Sequence, residues 1–411
     1  MVNTKKNFIW NLLGTTANAF VSLFFLIIVN RINGTSEAGI FSYAFSIACL
    51  FYIIALYYNR VYQVADTKNT YTKNQFISNR IMTSFITVLI SVIFTLVNRF
   101  DFYKSSIIIF LTLFKILEAV SDCFHAFFQK KDQLYLVGEY LTIKAILGIL
   151  FFLILDYLTK NILFSILGLI FINMIGLFIE IKKYFKIYKE KFKWQTDKMF
   201  SLLKSVWPLF LFSFLNIYLN NCQKYILEYF MNEEFQTILG IIIMPATMLS
   251  LCGQYLIGPL LNELSLNYQK KQLTIFSKTF TKMNIAFIFM GMFIFLMAFI
   301  FGIPVLNIIY NINLDSYKIA FLTIIIGAIF YALSTIISNG LVIMNKNKEQ
   351  LGIFIVSSLI STLISIILIK TYYLNGASVA YLMTMIIHFI LSYLVFKVNL
   401  KEGSEVNENS N

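Results

Sequence analysis

Runs of about 20 apolar residues, separated by short polar breaks, recur along the whole chain. A helix of that length crosses a hydrocarbon core of about 30 Å, and in lipid a single segment satisfies its own backbone hydrogen bonds only as a helix. The pattern therefore predicts an all-α membrane protein with about 12 transmembrane helices. The predicted spans are residues 8–30, 38–58, 80–98, 105–128, 135–156, 161–181, 203–225, 236–260, 281–302, 317–341, 350–370 and 375–397.

The composition agrees with this class. Apolar residues make up 59% and aromatic residues 17% of the 411-residue chain, and the mean hydropathy is +0.76, far above that of an ordinary soluble domain. The four cysteines lie in predicted spans without metal or disulfide spacing, and we expect them to be apolar fillers.

The net charge of +13 could suggest a nucleic-acid partner, but the placement of the charges argues against one. With the N-terminus inside, cytoplasmic breaks and termini hold 24 of the 33 Lys and Arg residues, outer breaks hold seven, and Lys115 and Lys144 lie within spans. By the positive-inside rule, this asymmetry predicts that both termini are cytoplasmic. We expect no nucleic-acid partner.

The longest basic segment, residues 182–200, comes near the middle of the chain. Its lysines make one helical stripe and its aromatic residues another, a pattern typical of a helix on an anionic leaflet, although a disordered loop has a similar composition. It is the predicted linker between two six-helix lobes, 1–181 and 201–398, and a polar tail follows at 399–411.

A polar stripe interrupts the fourth predicted span. Five polar residues fall on one helical face at i, i+3, i+7, i+10 and i+14: Lys115, Glu118, Asp122, His125 and Gln129. An ionised group at the bilayer centre costs about 2.5–3.5 kcal/mol, so the stripe should face protein or a water-filled cavity. Lys115 and Glu118 could simply neutralise each other, whereas Asp122 and His125 have no cationic neighbour on the helix.

Further polar positions accompany this stripe. Asn11 and Asn18 share one face of the first span, and Asn216 and Asn220 share one face of the seventh. Asparagines also join transmembrane helices by hydrogen bonds, so cavity lining and packing are equal alternatives here. His388 stands alone in the twelfth span, and we expect a packed, hydrogen-bonded histidine there.

Several segments resemble one transporter family, the polysaccharide biosynthesis transporters. These are the Wzx-type lipid-linked oligosaccharide flippases of the MATE/MOP superfamily. No single motif is a catalytic signature, and the resemblance rests on order, spacing and the twelve-span frame over most of the chain. The segments are RINGTSEAGIFSYAFS (31–46), NRVYQVADTKNTYTKNQFISNRIMT (59–83), KILEAVSDCFHAFFQKKDQL (115–134), GIPVLNIIY (302–310) and LNGASVAYL (374–382).

The resemblance implies a MATE/MOP-like fold with two six-helix lobes and alternating access. It also implies a function, the transfer of undecaprenyl-diphosphate-linked oligosaccharide repeat units from the cytoplasmic to the outer leaflet of a bacterial cell membrane. The expected partners are this lipid-linked substrate, membrane lipids, the glycosyltransferases and polymerase of the same pathway, and a coupling proton or sodium ion. No cofactor and no metal are expected.

Candidate roles follow for the charged residues. Lys115 and Lys144 are predicted to attract phosphate, and Glu118, Asp122 and His125 are candidates for ion coupling. Three arginines, Arg31, Arg60 and Arg80, would gather the diphosphate at the inward-facing mouth, because guanidinium groups pair bidentately with phosphate. Arg60 and Arg80 could instead anchor helix ends at the level of the lipid headgroups.

Two other functions stay open. The sequence lacks Asp-x-Asp, G-x-x-x-x-G-K-[ST] and G-x-S-x-G, so the usual metal-nucleotide, ATP and serine-hydrolase signatures are absent and we expect no enzyme. A membrane polysaccharide polymerase or ligase handles the same lipid-linked substrate but usually carries a large outer loop. A multidrug antiporter of the same superfamily would favour acidic residues in its cavity, whereas this chain places both signs in its spans.

Overall fold

The computed structural model describes residues 2–66, 68–257 and 261–408, and these residues form helices and connecting turns without a strand. They fall into two compact units, Met1–Ile217 and Tyr218–Asn411. This division into two units does not test the predicted lobe boundaries, which stay a prediction.

The first unit contains seven complete helices and the beginning of an eighth. They are α1 (Val2–Asn33), α2 (Thr35–Leu56), α3 (Asn59–Ala65), α4 (Lys73–Val97), α5 (Phe102–Lys130), α6 (Leu134–Thr159), α7 (Ile162–Tyr188) and α8 (Met199–Leu227). Side chains cap several of these helices. The α4 cap is a capping box, in which Thr72 Oγ1 accepts from the Gln75 N–H at 3.2 Å and Gln75 Oε1 accepts from the Thr72 N–H at 2.8 Å.

The second unit contains the end of α8 and six further helices. They are α9 (Glu233–Ile257), α10 (Leu261–Gln269), α11 (Leu273–Met297), α12 (Ile303–Tyr310), α13 (Lys318–Ile343) and α14 (Asn347–Glu408). A π-helical turn, Ala298–Gly302, joins α11 to α12. Helix α14 is interrupted at Tyr373, where φ is 56°, and this interruption separates the eleventh and twelfth predicted spans.

Each predicted span lies on one of these helices, and the helix ends differ from the predicted ends by up to 11 residues. Nine helical segments of the described residues are long and apolar enough to cross a membrane, and one of them, 347–400, holds two predicted spans. The remaining two predicted spans lie on α5, which carries the charged stripe, and on α9. Residues 258–260 of the eighth predicted span lie outside the described residues, as do residues 409–411 and the side chain of Cys252.

Two predicted segments differ from the structure. Helix α7 continues into the basic linker only as far as Tyr188, and residues 189–198 are not helical. Instead, Gln75 Nε2 donates to Asp197 Oδ2 at 2.8 Å and the Gln195 N–H donates to Ser78 Oγ at 3.1 Å, so this segment covers the start of α4. At the other end, helix α14 extends through most of the predicted polar tail, to Glu408.

Helices α1 and α6 approach each other closely through glycine. A Cβ atom on Gly138 would lie 2.0 Å from the Trp10 carbonyl oxygen, and one on Gly14 would lie 2.6 Å from the Gly138 carbonyl oxygen. Small residues at such crossings let transmembrane helices pack backbone to backbone. This contact positions α1 and α6 as two walls of the cavity described next.

Candidate functional site: a charged cavity in the first unit

A cavity of about 250 Å³ lies within the first unit, between α1, α2, α3, α5, α6 and α7. Its wall combines apolar and neutral polar side chains with five acidic or basic ones from the predicted stripe and its neighbours. These five are Arg60, Glu118, Asp122, His125 and Lys144. The stripe on α5 therefore faces the interior of the unit, as its polarity predicts.

Asp122 lies between two arginines. Arg60 Nη1 is 2.8 Å from Asp122 Oδ1 and Arg80 Nη2 is 3.6 Å from Asp122 Oδ2. Arg60 also donates to Gln129 Oε1 at 3.1 Å. Arg80 is 1% exposed and donates to the Ala55 carbonyl at 2.8 Å, whereas Arg60 is 28% exposed and lines the cavity. Arg60 and Arg80 are predicted to gather a diphosphate together, but Arg80 is buried and only Arg60 is accessible from the cavity.

A break between α2 and α3 places Arg60 on the cavity. Tyr57 and Tyr58 both adopt the left-handed conformation, with φ of 43° and 55°. This conformation is uncommon for residues other than glycine, and two consecutive examples end α2 and start α3 in a new direction. The Tyr57 ring stacks on Phe210 of α8 at a centroid distance of 4.4 Å.

Glu180 on α7 is the centre of a second ion cluster. It is fully buried, its Oε1 lies 2.7 Å from Lys144 Nζ and 3.2 Å from His125 Nε2, and Lys144 Nζ also donates to Ser121 Oγ at 3.0 Å. The stem of Lys144 passes over Gly176, one turn before Glu180, where a Cβ atom would lie 2.5 Å from Lys144 Cδ. Gly176 thereby leaves room for Lys144 to reach the carboxylate.

Lys115 and Glu118 form the third ion pair, at 2.7 Å. This is the mutual neutralisation that the i, i+3 spacing allows. The ammonium group is also surrounded by aromatic faces, with centroids 4.9 Å away for Phe45 and Phe114 and 5.6 Å for Tyr52. Aromatic faces stabilise a desolvated cation, so these rings help to hold the Lys115 ammonium at the N-terminal end of the stripe.

These clusters together carry more positive than negative charge. Four of their side chains are lysines or arginines, three are carboxylates, and His125 belongs to the Glu180 cluster. Each carboxylate has at least one basic partner within 4 Å. The four cations are Arg60, Arg80, Lys115 and Lys144, and the three carboxylates are Glu118, Asp122 and Glu180.

The predicted asparagines fall in different places. Asn18 lines the cavity together with Thr15, whereas Asn11 lies one turn earlier on α1, and its carbonyl accepts from Thr15 Oγ1 at 2.7 Å. Asn216 and Asn220 are half-buried on α8, on either side of the boundary between the units. Arg31 is exposed in the last turn of α1.

The second unit contains a buried polar seam. Gln223 Nε2 donates to Ser361 Oγ and Ser365 Oγ at 3.4 and 3.3 Å, and Thr384 donates to Ser361 Oγ at 3.2 Å. His388 Nδ1 lies 3.0 Å from Ser357 Oγ, so His388 is packed and hydrogen-bonded, as expected. The seam resembles the small-residue, hydrogen-bonded packing of transmembrane helices.

Glu180 is the residue that sequence reasoning missed. A signal was available, because Glu180 is a single carboxylate inside an otherwise apolar span, a kind of residue that by default marks function or a buried partner. Its partners come from two other helices, so the cluster itself was not visible in the sequence. Among the described residues, no group of three His, Cys, Asp or Glu side chains is arranged to hold a metal ion.

The chain resembles known proteins in sequence and in fold. The search found no protein-family model that matches. The "Capsular polysaccharide biosynthesis protein CapF" of Staphylococcus aureus is 22% identical over 401 residues, which cover 95% of this chain and 99% of the relative.

Solved structures of MATE transporters share the fold. A multidrug resistance MATE family transporter of the MOP superfamily, in an inward-facing conformation, gives a TM-score of 0.71 at 10% identity, covering 94% of this chain and 96% of the other. A MOP superfamily transporter from Pyrococcus furiosus, described as having a binding pocket of reverse polarity, gives 0.58 at 11% identity, covering 98% and 96%.

The chain is a multi-pass membrane protein with the fold of the MATE transporters of the MOP superfamily. The predicted fold class and the resemblance to this superfamily are therefore confirmed, and CapF adds a relative named for polysaccharide biosynthesis. A bacterial plasma membrane is consistent with these relatives. The cytoplasmic placement of both termini stays a prediction.

Proposed function

We propose that this protein is a flippase that moves undecaprenyl-diphosphate-linked oligosaccharide repeat units from the cytoplasmic to the outer leaflet for surface polysaccharide biosynthesis. The observation that carries the proposal is the net positive charge of the clusters around the cavity, in a chain with a transporter fold. The similarity to CapF over nearly its whole length supports the polysaccharide context.

Arg60 is the side chain best suited to meet a diphosphate first. It lines the cavity and is more accessible than Arg80, and its guanidinium already binds the carboxylate of Asp122. A phosphate group, like a carboxylate, can accept two parallel hydrogen bonds from a guanidinium group. An arriving diphosphate can therefore replace Asp122 as the partner of Arg60. Arg80 then remains to neutralise Asp122.

The Lys144–Glu180–His125 cluster is the second group of charges at the cavity, and Lys144 and His125 line it. Because Glu180 already neutralises Lys144, we propose that Lys144 becomes available to phosphate when His125 or a proton compensates Glu180. Glu118, Asp122 and His125 retain their predicted role as candidates for proton or sodium coupling. Transport proceeds by alternating access, and the glycosyltransferases and polymerase of the same pathway are the expected neighbours.

The deciding experiment is deletion in the native host, followed by extraction of lipid-linked intermediates. A flippase defect accumulates complete repeat units on the cytoplasmic side, and wild-type protein restores export whereas Arg60→Met does not. Accumulation of single exported units would instead identify a polymerase or ligase. Normal export in the deletion strain would refute both.

The structural neighbours include a multidrug resistance MATE transporter, so drug export is a second candidate. The ion clusters around the cavity hold four Lys and Arg side chains against three carboxylates, which is a poor environment for cationic drugs because like charges repel. Efflux of a cationic dye from cells expressing the protein checks this function. We expect no efflux above that of the empty vector, and dye export with normal polysaccharide would favour the antiporter.

A further inference from the structure

Helix α5 separates the charged cavity from a second recess on its opposite face. Asp122 faces the cavity, and Phe124, two residues on, faces the second recess, because a two-residue step turns an α-helix by about 200°. None of the described residues lines both spaces. Arg80 lines the second recess, and its Nη2 lies 3.6 Å from Oδ2 of Asp122, which lines the cavity.

This second recess is an apolar slot of about 300 Å³ between α4, α5 and α7. Apart from Arg80, its lining side chains are aliphatic, aromatic or thiol. Ile81 on its rim is 39% exposed, so the slot opens on the surface of the unit. Its lining includes Ile77, Ile81, Val120, Phe124, Ile181 and Phe185.

A basic pocket of about 470 Å³ lies at the ends of the same three helices. Three lysines, Lys73, Lys130 and Lys131, line it against a single carboxylate, Glu190. The ammonium groups of Lys73 and Lys131 lie over the same ring, that of Tyr188, at 4.6 and 5.6 Å from its centroid. Lys73 also forms an ion pair with Glu190, and Lys130 and Lys131 add two further positive charges, so the pocket favours an anion.

The slot and the basic pocket follow one another along the same three helices, and we call the two together the lateral groove. On α5, Val120 and Phe124 line the slot and Phe127 and Lys131 line the pocket, at i, i+4, i+7 and i+11. Positions 181, 185 and 188 on α7 repeat the first three steps of this spacing, and positions 81, 77 and 73 on α4 lie at steps of four residues. The four positions on α5 span about 16 Å, at about 1.5 Å per residue.

We propose that the lateral groove binds an anionic phospholipid of the membrane, with its phosphate in the lysine pocket and an acyl chain in the apolar slot. A basic pocket at helix ends above an apolar slot matches the polarity of such a lipid along its length. The groove lies on the face of α5 opposite the cavity, so the proposed occupant is a resident lipid and not the transported molecule. The proposal does not depend on the flippase function.

Native mass spectrometry of the purified full-length protein tests this binding with phosphatidylglycerol and phosphatidylcholine added separately. We expect a retained phosphatidylglycerol and weak retention of phosphatidylcholine. The double variant Lys73→Gln, Lys131→Gln should lose about 20-fold or more in phosphatidylglycerol affinity, since each lysine near a membrane surface contributes about fivefold. The matched control Lys270→Gln, Lys348→Gln, at exposed lysines of the second unit, should bind as wild type does.

A second variant tests the slot independently of charge. Ile181→Trp fills the slot and should reduce retention of phosphatidylglycerol, whereas Leu167→Trp on the exposed face of the same helix should not. Equal binding of the two lipids, or unchanged binding in both groove variants, would overturn the proposal. Displacement of phosphatidylglycerol by inorganic phosphate alone would indicate a phosphate site, and preferential retention of a polyprenyl phosphate would assign the groove to the carrier lipid; either result would refute a resident phospholipid.

Discussion

Lys144 on α6 and Glu180 on α7 form an ion pair with an Nζ–Oε1 distance of 2.7 Å, although Glu180 is fully buried and both lie in apolar helices. Desolvation of two charges costs several kcal/mol each, and their attraction repays it only with further hydrogen bonds. Ser121 Oγ accepts a hydrogen bond from Lys144 Nζ, and His125 Nε2 lies 3.2 Å from Glu180 Oε1. The pair therefore contributes to the stability of the helix packing and is also part of the candidate site.

Glu180→Gln should destabilise the protein by about 3–5 kcal/mol, because it leaves the buried ammonium of Lys144 without a counter-charge. Thermal unfolding in detergent measures this loss. The double variant Lys144→Met, Glu180→Leu removes both charges and should recover most of the stability. Recovery of export together with stability would show that the pair is structural only.

Arg60→Met and Arg80→Met should have different consequences, although both arginines contact Asp122. Arg80 is buried, donates to the Ala55 carbonyl and lies beside Asp122, so the loss of these contacts of a charged donor should cost about 1–3 kcal/mol of stability. Arg60 is partly exposed, and its loss should abolish export with little change in unfolding temperature. Similar unfolding temperatures and similar export in the two variants would contradict this division.

Lys115→Leu should abolish export while the amount of protein in the membrane stays near that of wild type. Leucine matches the apolar surroundings of α5, but it removes the cation that lies among three aromatic rings and beside Glu118. Lys115→Arg keeps the charge and should retain part of the activity. Export by Lys115→Leu at the wild-type rate would reduce this residue to helix packing.

Gly138→Ala should prevent the close approach of α1 and α6, because the added Cβ would lie 2.0 Å from the backbone oxygen of Trp10. Backbone cannot move aside as a flexible side chain does, so we expect a large fall in unfolding temperature and in membrane levels. Gly352→Ala is the matched control, since nothing lies within 4 Å of its added Cβ. Its stability should change by no more than about 0.5 kcal/mol.

Asp66 makes the loop before α4 sensitive to acid. Burial alone would raise the pKa of Asp66, but hydrogen bonds from the Thr70 and Tyr71 N–H groups to its carboxylate lower that pKa below its ordinary value. A lowered pKa in the folded state means that this stabilisation is present above the unfolded pKa of about 3.9 and is lost as the pH falls further. Proteolysis of the loop should therefore stay constant from neutral pH to about pH 5 and increase below about pH 4.

Asp66→Asn is the test of this assignment. It should raise proteolysis of the loop at neutral pH and remove its dependence on acid, because the amide does not titrate. A variant that keeps the wild-type acid dependence would show that another carboxylate is responsible.

The basic linker shows where the pattern of the sequence misled. Its lysine and aromatic stripes are typical of a surface helix, yet the chain leaves the helix after Tyr188, and Gln195 and Asp197 bind residues at the start of α4. Hydrogen bonds to a distant segment compete with the local preference for a helix. No local pattern could reveal them.

The helical spans and the polar face of α5 could be predicted from the residue pattern alone, because hydrocarbon permits only helices and strongly penalises charges that face lipid. The tertiary structure decided which charges meet. Asp122 contacts Arg60, 62 residues away, and Glu180 contacts Lys144 and His125 on two other helices. Such partners depend on the rotation and crossing of packed helices, which the spacing along one chain does not specify.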